Sequence, residues 1–229
     1  LEAYQATHNE TYAHVVRGIF EYAMRDLKGK GGAFYSAEDA DSIDPPAAAK
    51  REGAFYVWEQ SEILDIAGEE AGEITNFIYG VRPEGNVEND PQGEFPRKNI
   101  LSTVHTLEEA SQKFKKPISE VKRIHEETRK KLFEVRSKRP RPHRDDKILT
   151  DWNGLMISSL ALASRILGEP RYGQAAREAA DFILEKLVRH DGRLLHRYRD
   201  GEASILGTLE DYAFFIHGLL DLYQTTFEV

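Results

Sequence analysis

The chain has no cysteine among its 229 residues, and this absence excludes disulfide bonds, thiolate metal ligands and cysteine nucleophiles together. It also lacks an apolar run near the roughly 20 residues that a bilayer-spanning helix needs, so we expect no membrane segment. A formal net charge of −8 argues against a general affinity for nucleic acid. The basic run Lys122–Arg144 is interleaved with glutamates, which favours a solvated helix face. The sequence opens without a signal-peptide pattern, so we expect a cytoplasmic fragment of a longer protein.

Motifs that identify common enzyme and metal sites are missing as well. The chain has no His-Glu-x-x-His pair, no Gly-rich phosphate loop with its lysine and no Gly-x-Ser-x-Gly elbow. We therefore predict no metal site and no cofactor. The segment Val81–Asn99 is rich in Gly, Pro, Asn and Asp, which predicts a loop insertion. Its oxygen-bearing residues have a spacing that fits no EF-hand, and a solvated loop is the favoured interpretation. These residues are Asn86, Glu88, Asn89 and Asp90.

Two kinds of predicted helix alternate along the chain. Trp152–Leu167 and Leu209–Tyr223 are apolar all round, which is typical of buried helices. Arg171–Val188 and Glu10–Leu27 are apolar on one stripe only, which is typical of an outer layer. This alternation predicts a mainly α-helical fold, an arc of an α/α toroid with short β-hairpins. The stripe expected to face inward from the first of these segments is Tyr12, Val16, Ile19, Ala23 and Leu27.

A weak internal repeat supports this prediction. Five residues of the first amphipathic segment have counterparts 160 residues later. In both copies a glycine follows the helix, and a short strand-like run follows the glycine. We therefore expect short hairpins near Phe34 and Leu195, and both chain ends in the same phase of the repeat. The matched residues are Tyr12, Ile19, Tyr22, Leu27 and Gly32 in one copy, and Tyr172, Ala179, Phe182, Leu187 and Gly192 in the other.

The middle of the chain is less regular. Gly53–Trp58 is a candidate aromatic strand, and Ser61–Tyr79 predicts two short helices broken near Gly68. Thr106–Glu109 has the pattern of a capping box, and Pro117 is expected in the first turn of a following helix.

Five motifs resemble the family of spermatogenesis-associated, thioredoxin-domain-containing proteins. The resemblance implies an N-terminal thioredoxin-like domain, outside these residues, followed by a six-hairpin α/α toroid. Such a toroid is similar to those of N-acylglucosamine 2-epimerases and six-hairpin glycosidases, and residues 1–229 would form part of it. The resemblance assigns no catalytic residue. The motifs are Gly32–Ser42, Glu52–Trp58, Arg141–Gly154, Gly192–Gly201 and Leu209–Phe214.

The first candidate loop is Tyr35–Asp41, which carries three acids within four residues. Glu38 is a candidate catalytic acid or base, and Tyr35 and Asp41 are candidate substrate contacts. The alternative interpretation is a turn in which Ser36 and an acid three residues later form a capping pair.

The second candidate loop runs from Arg141 into the apolar helix that follows it. His143 is a candidate proton-transfer base near neutral pH, with Asp145 and Asp146 as acid, base or orienting groups. The alternative is that neighbouring basic residues neutralise the acids and that Asp151 only caps the helix. Trp152 could be a sugar-stacking platform, although tryptophan more often belongs to the core. The candidate substrate contacts here are Asp151, Trp152 and Asn153.

The third candidate loop opens the last helix. Glu210 is the candidate catalytic acid, because an acid beside aromatic core residues needs a partner or a function. Asp211 forms a capping-box pattern with Thr208, and with Tyr212 it is a candidate substrate contact. His196, in the preceding hairpin, is a possible partner for the acid and a further candidate contact.

Three functions remain open on the sequence alone. The leading one is a carbohydrate-active toroid that transfers protons on a sugar, by epimerisation or glycoside cleavage. The second is a module that binds a small sugar-like ligand and leaves catalysis to the thioredoxin-like domain. The third is a scaffold. We expect the candidate residues to converge on one surface. Two carboxyls about 5–9.5 Å apart would favour glycoside cleavage, and a histidine beside a carboxylate would favour proton abstraction.

Overall fold

A computed structural model describes residues 1–44, 49–88, 90, 93 and 95–228. The chain divides into two compact units. The first combines Leu1–Glu38 with Arg144–Val229, and the second is Asp39–His143. Asn89 and three other positions of the predicted Val81–Asn99 loop lie outside the described residues.

The described elements are mainly α-helical, with short antiparallel strands. The helices are α1 Glu2–Thr7, α2 Glu10–Tyr22, α3 Gln60–Ala67, α4 Glu69–Ile78, α5 Leu107–Phe114, α6 Ile118–Arg136, α7 Thr150–Leu167, α8 Pro170–Lys186 and α9 Leu209–Thr226. The π-helical turn Ala23–Leu27 extends α2. The strands are β1 Ala37–Glu38, β2 Asp41–Asp44, β3 Ala49–Glu52, β4 Arg144–Asp145, β5 Ile148–Leu149, β6 Leu195–Arg199 and β7 Glu202–Leu206. They pair as β1–β4, β2–β3 and β5–β6–β7, each pair antiparallel. The predicted fold class, mainly α-helical with short hairpins, is confirmed.

In the first unit, α7 and α9 pack side by side in the same direction. Near their N-termini, a Cβ on Gly154 would lie 2.5 Å from the carbonyl carbon of Phe214. One turn further along, the Ser158 hydroxyl donates to Asp221 over 2.6 Å. The contacts advance along both helices together, so the helices are parallel. Glycine at position 154 permits the close backbone approach.

Helices α2 and α8 form a second parallel pair in this unit. Arg17 Nε donates to Glu169 over 2.7 Å, and the ring centroids of Phe20 and Tyr172 are 5.1 Å apart. The main core lies between the two helix pairs and includes Tyr172, Ile157, Leu160, Ile183 and Leu187, all fully buried.

The burial predictions for these helices are correct only in part. Of the α2 stripe predicted to face inward, Ala23 is buried and Val16 and Leu27 pack against the core. Tyr12 and Ile19 are 43% and 56% exposed, and Ala13 and Phe20 are buried instead. Apolar residues cover two adjacent faces of this helix, so periodicity alone does not fix which of them turns inward. Helices α7 and α9, predicted to be buried all round, are not, because Trp152 and Leu155 of α7 and Leu220 with its neighbours along one face of α9 are exposed.

The backbone confirms the internal repeat. After the first helix, Lys28 and Phe34 form an antiparallel bridge, and Val188 and Leu194 form the same bridge 160 residues later. In the first copy the Tyr35 N–H donates to the Leu27 carbonyl over 2.8 Å, and in the second copy the Leu195 N–H donates to the Leu187 carbonyl over the same distance. In the second copy β6 and β7 are joined by a short turn. In the first copy the chain between β1 and β4 is the whole second unit.

The second unit confirms two local predictions. Helices α3 and α4 meet at Gly68, whose φ of 82° ends one helix and begins the next. The capping box at α5 is present, with Thr106 N–H donating to Glu109 over 2.7 Å and the reciprocal bond at 3.1 Å. Pro117 precedes α6 as its N-cap and is not inside the first turn.

The strand predicted over Gly53–Trp58 was wrong. These residues form a turn, and only Trp58 makes a bridge, with Asn99. The buried amide of Asn99 takes the place of strand pairing, since it accepts from Arg82 N–H over 2.8 Å and donates to the Trp58 carbonyl over 3.2 Å. The aromatic pattern reflects burial of Phe55 and Trp58 in a loop.

Candidate active site

A fully buried carboxylate lies at the start of α9. Asp211 is 0% exposed, and its Oδ2 accepts from the N–H and the hydroxyl of Thr208 over 2.7 and 3.2 Å. This is the predicted capping box, which is confirmed. Its Oδ1 also accepts from the N–H of Asp151, in the first turn of α7, over 3.1 Å. One carboxylate therefore holds the N-termini of two parallel helices together.

The ring of His196 completes this network. Its Nδ1 lies 3.0 Å from each carboxylate oxygen of Asp211. A carboxylate can only accept hydrogen bonds, so Nδ1 carries the proton and donates it. In the neutral ring, Nε2 then carries the lone pair. Within the described part of the chain, no hydrogen-bond partner is found for Nε2. A buried acid that fixes the tautomer of a half-buried histidine is the arrangement of a general base.

Asp151 lies beside this pair. One potential ligand atom from each of Asp151, His196 and Asp211 lies within 4.8 Å of the others, close enough to consider a metal ion. Both oxygens of Asp211 already accept hydrogen bonds, including two from backbone N–H groups, and a metal would have to displace them. The donor set therefore fits proton transfer better than metal binding. Asp151 is not the N-cap of α7, because that position is Leu149.

Trp152 follows Asp151 on α7 and is 52% exposed. Its N–H group on the backbone donates to the Asp151 carboxylate over 2.8 Å. A half-exposed indole is unlike a core tryptophan. Its apolar face can stack on the face of a sugar ring.

Other candidate acids in the first unit have cationic or hydroxyl partners. Lys147 Nζ lies 2.7 Å from Asp145, and this contact lowers the pKa of the Asp145 carboxyl. Asp146 pairs with Arg199 over 2.8 Å. Lys147 thus neutralises Asp145 as the alternative interpretation predicts, whereas Asp146 pairs with Arg199 of β6 and not with a basic residue of its own loop. Glu38 accepts a hydrogen bond from the Tyr22 hydroxyl over 3.0 Å.

Glu210 is exposed in the first turn of α9. The acid buried beside the aromatic core is therefore its neighbour Asp211 and not, as the sequence predicts, Glu210. His196, considered as a partner for Glu210, contacts Asp211 instead.

Three candidate contact residues make contacts within the fold, two through polar groups and one through its ring. The Asn153 amide is 1% exposed and bonds both the N–H and the carbonyl of Phe34, over 2.8 and 3.0 Å. The Tyr212 hydroxyl accepts from the N–H of Leu194 over 3.0 Å. Tyr35 lies under the guanidinium of Arg144, 4.3 Å from the ring centroid. These contacts give all three side chains a structural role.

Asp41 and His143 belong to the second unit. Asp41 opens β2, paired with Glu52, and the exposed His143 accepts a backbone hydrogen bond from Asp39 over 2.7 Å. Their convergence with the other candidates stays a prediction.

The pairing of His196 with Asp211 was missed at the sequence level, although both residues were candidates. Two signals could have found it. The acid of a capping box lies close to the start of its helix, and a tight hairpin returns the first strand to the helix that follows. Together they place the beginning of β6 against the first turn of α9.

Comparison with known proteins places the chain beside one set of relatives. No protein-family model matches the chain. It is 36% identical over 247 aligned residues to human spermatogenesis-associated protein 20, with 99% of this chain and 31% of that protein covered. The mouse and rat proteins of the same name are 34% and 32% identical, with the same coverage. The chain therefore spans about a third of the length of these relatives.

None of the helices in the described ranges has both the length and the apolar character required to cross a bilayer. Over nearly its whole length, the chain is thus similar to part of spermatogenesis-associated protein 20, which supports the family resemblance of its motifs.

Proposed function

We propose that the first unit carries the proton-transfer site of a carbohydrate-active domain, with His196 as the base. The observation that supports this most directly is the contact of His196 Nδ1 with the buried Asp211 carboxylate at 3.0 Å. It leaves Nε2 as the acceptor at the surface of the unit.

The fold of the first unit supports a toroid as the setting. Its helices form two parallel pairs, α7 with α9 and α2 with α8, and each pair repeats after one hairpin. Continued rotation of the same hairpin would generate two concentric layers, the α/α toroid that the sequence resemblance implies. In such a fold the start of α7 and α9 would lie at one end of the inner layer.

The chemistry proposed is abstraction of a proton from a sugar carbon next to a carbonyl group. The lone pair on Nε2 takes the proton, the electron pair of the C–H bond moves to form an enediolate, and the ring becomes an imidazolium. Asp211 stabilises that cation through Nδ1–H. Rotation of the enediolate within the site then presents its other face to the ring, and return of the proton from Nε2 to that face inverts the carbon and restores the neutral imidazole. Asp151 can bond a sugar hydroxyl, and Trp152 can stack on the ring.

Glycoside cleavage is less well supported at this site. Glycosidases use two carboxyl groups that both reach the substrate, whereas one member of the pair Asp151 and Asp211, the Asp211 carboxylate, is fully buried. Asp211 is also saturated by hydrogen bonds, so it has no oxygen left to attack or protonate a sugar.

Incorporation of deuterium from D2O into candidate sugars, followed by NMR, tests the proposal without requiring net turnover. Suitable probes are N-acetylhexosamines and simple aldoses and ketoses. His196→Gln should abolish incorporation, and Asp211→Asn should lower it by a factor of about 100 or more, because the asparagine side chain can favour the wrong tautomer. His190→Gln, an exposed histidine in the preceding turn, is the control and should exchange like the wild type.

A second function is favoured by the backbone bonds of Asp211 to α7 and α9. These bonds would equally suit a non-catalytic module that binds a small sugar-like ligand beside a thioredoxin-like domain of the same protein. Here sugar binding would be present without deuterium exchange, and His196→Gln would weaken binding. If no sugar binds and no exchange occurs, both proposals fail and the network is structural.

A further inference from the structure

An apolar groove runs along the first unit between α8 and α9. Its volume is about 510 Å³. Leu184 of α8 lines one side, and Ile216, Leu220 and Tyr223 of α9 line the other. These four side chains are 46–57% exposed. Such a row of large apolar side chains on one surface indicates that another element covers it.

The internal repeat identifies what kind of element this is. Helix α8 forms one side of the groove. At the offset of 160 residues, this side corresponds to the face of α2 that packs against α8. On α2 this face carries Arg17, Phe20 and Glu21, which contact Glu169, Tyr172 and Arg171. The corresponding groove residues of α8 are Arg177, Ala180 and Asp181.

The junction that leads into each outer helix is repeated too. At the first junction, Thr7–Asn9, His8 with a φ of 53° ends α1 and the next residue is the N-cap of α2. At the second, Leu167–Glu169, Gly168 with a φ of 68° ends α7 and the next residue is the N-cap of α8. At Thr226–Glu228 the same turn occurs, with φ of 56° at Phe227. In the first and third junctions the final N–H also donates to the threonine hydroxyl, over 3.2 and 3.3 Å.

The ion pair at the junction is repeated as well. Arg17 binds Glu169, the residue just before α8. Its counterpart Arg177 binds Glu228, which occupies the position of Glu169 in the third junction. The junction that ends at Glu228 therefore has the geometry from which α2 and α8 begin at the other two junctions.

We propose that a third helical hairpin of the full-length protein, entering directly after Glu228, fills the groove between α8 and α9. Its first helix lies on α8 as α8 lies on α2. By the register of the second copy, the second residue after Glu228 should be a cation that pairs with Asp181, as Arg171 pairs with Glu21. The third should be a large aromatic or apolar residue, which fills the space left by Ala180 in place of Phe20.

Cysteine labelling tests this, because the 229 residues contain no cysteine. Leu220→Cys and, separately, Leu184→Cys are made both in the 229-residue chain and in a longer form that continues past it. The rate of maleimide labelling at each site is followed by peptide mass spectrometry. In the longer form each rate should fall by about tenfold or more, because the thiol becomes reachable only when the hairpin opens.

Leu206→Cys, at the end of β7, is the matched control. Leu206 is 55% exposed, against 57% for Leu220, and it lies outside the groove. Its labelling should be equally fast in both forms. Equal rates at Leu220→Cys and Leu184→Cys in the two forms would overturn the proposal, as would protection that requires a second copy and rises with protein concentration.

Discussion

The close contact between α7 and α9 makes Gly154→Ala a sharp test of the fold. An added Cβ would lie 2.5 Å from the carbonyl carbon of Phe214 and 2.6 Å from the nitrogen of Phe215. Ordinary contacts between such atoms are about 3.5–4.0 Å, and both atoms belong to backbone, which cannot rotate away. The two helices would have to separate by about 1 Å.

The expected cost follows from these distances. Overpacking of this kind costs about 1–3 kcal/mol, and a backbone obstacle belongs at the upper end of that range. Alanine recovers about 0.5–1 kcal/mol of helix propensity over glycine. Gly154→Ala should therefore destabilise the first unit by about 2 kcal/mol. Separation of α7 from α9 should also pull Asp151 away from Asp211.

The assay is urea unfolding followed by tryptophan fluorescence. The chain has two tryptophans, one in each unit, so a Trp58→Phe background makes Trp152 the reporter for the first unit. Gly18→Ala on α2 is the control, since nothing lies within 4 Å of a Cβ there. It should stabilise the unit by about 0.5–1 kcal/mol. If Gly154→Ala were as stable as the control, the parallel contact described here would be wrong.

Three further predictions concern single residues. Gly32 has a φ of 99°, and a Cβ added there would lie 2.8 Å from backbone, whereas Gly192 has a φ of 80° with open space around it. In thermal unfolding, alanine should therefore lower the free energy of unfolding by about 3 kcal/mol or more at Gly32, and by only about 1–2 kcal/mol at Gly192. Asn99→Ala removes a buried amide that bonds backbone groups in two segments. It should lower the free energy of unfolding of the second unit, measured in urea, by about 3 kcal/mol. A loss below about 1 kcal/mol would show that these hydrogen bonds do not stabilise the unit. Burial lowers the pKa of His125 below its ordinary 6.5, with the Tyr79 hydroxyl 2.9 Å from its ring. The neutral ring is thus favoured in the folded state, so its contribution to stability is fully present above about pH 6.5 and declines as the pH falls further. The measurement is the urea midpoint of the second unit as a function of pH. His125→Gln should remove the decline of the midpoint at low pH, and an unchanged decline would contradict the assignment.

Local signals in the sequence predicted much of the fold. The capping box at Thr106, the helix break at Gly68 and the 160-residue repeat depend on short-range backbone chemistry, and each is seen in the structure. The phase of α2 could not be predicted in the same way. Tyr12 and Ile19 are as apolar as Ala13 and Phe20, and only the position of α8 decides which pair is buried.

The site was harder to predict, because burial separates two adjacent acids. Glu210 and Asp211 are equivalent in charge and adjacent in sequence, yet one is exposed and the other is fully buried. The partners that hold Asp211 come from Asp151 and His196, in other elements. Long-range partners of this kind leave no periodic signal in a single sequence.

Comparison of the two copies of the repeat distinguishes the contacts that both copies share from those found at the candidate site. In the first copy Asn153 of the inner helix bonds the backbone of Phe34. In the second, Tyr212 bonds the backbone of Leu194, the counterpart of Phe34. Each hairpin is therefore fastened to its helix by one polar side chain.

The histidine–carboxylate pair is not part of this shared attachment. The counterpart of His196 in the first copy is Ser36, whose hydroxyl donates to the Lys147 carbonyl over 2.7 Å. The counterpart of Asp211, aligned through the matching ends of α7 and α9, is Trp152, which is half exposed. A hairpin of this repeat thus folds without the pair, which is present only in the second copy. The pair is thus an addition that the repeat itself does not require, and it is the feature on which the proposed function rests.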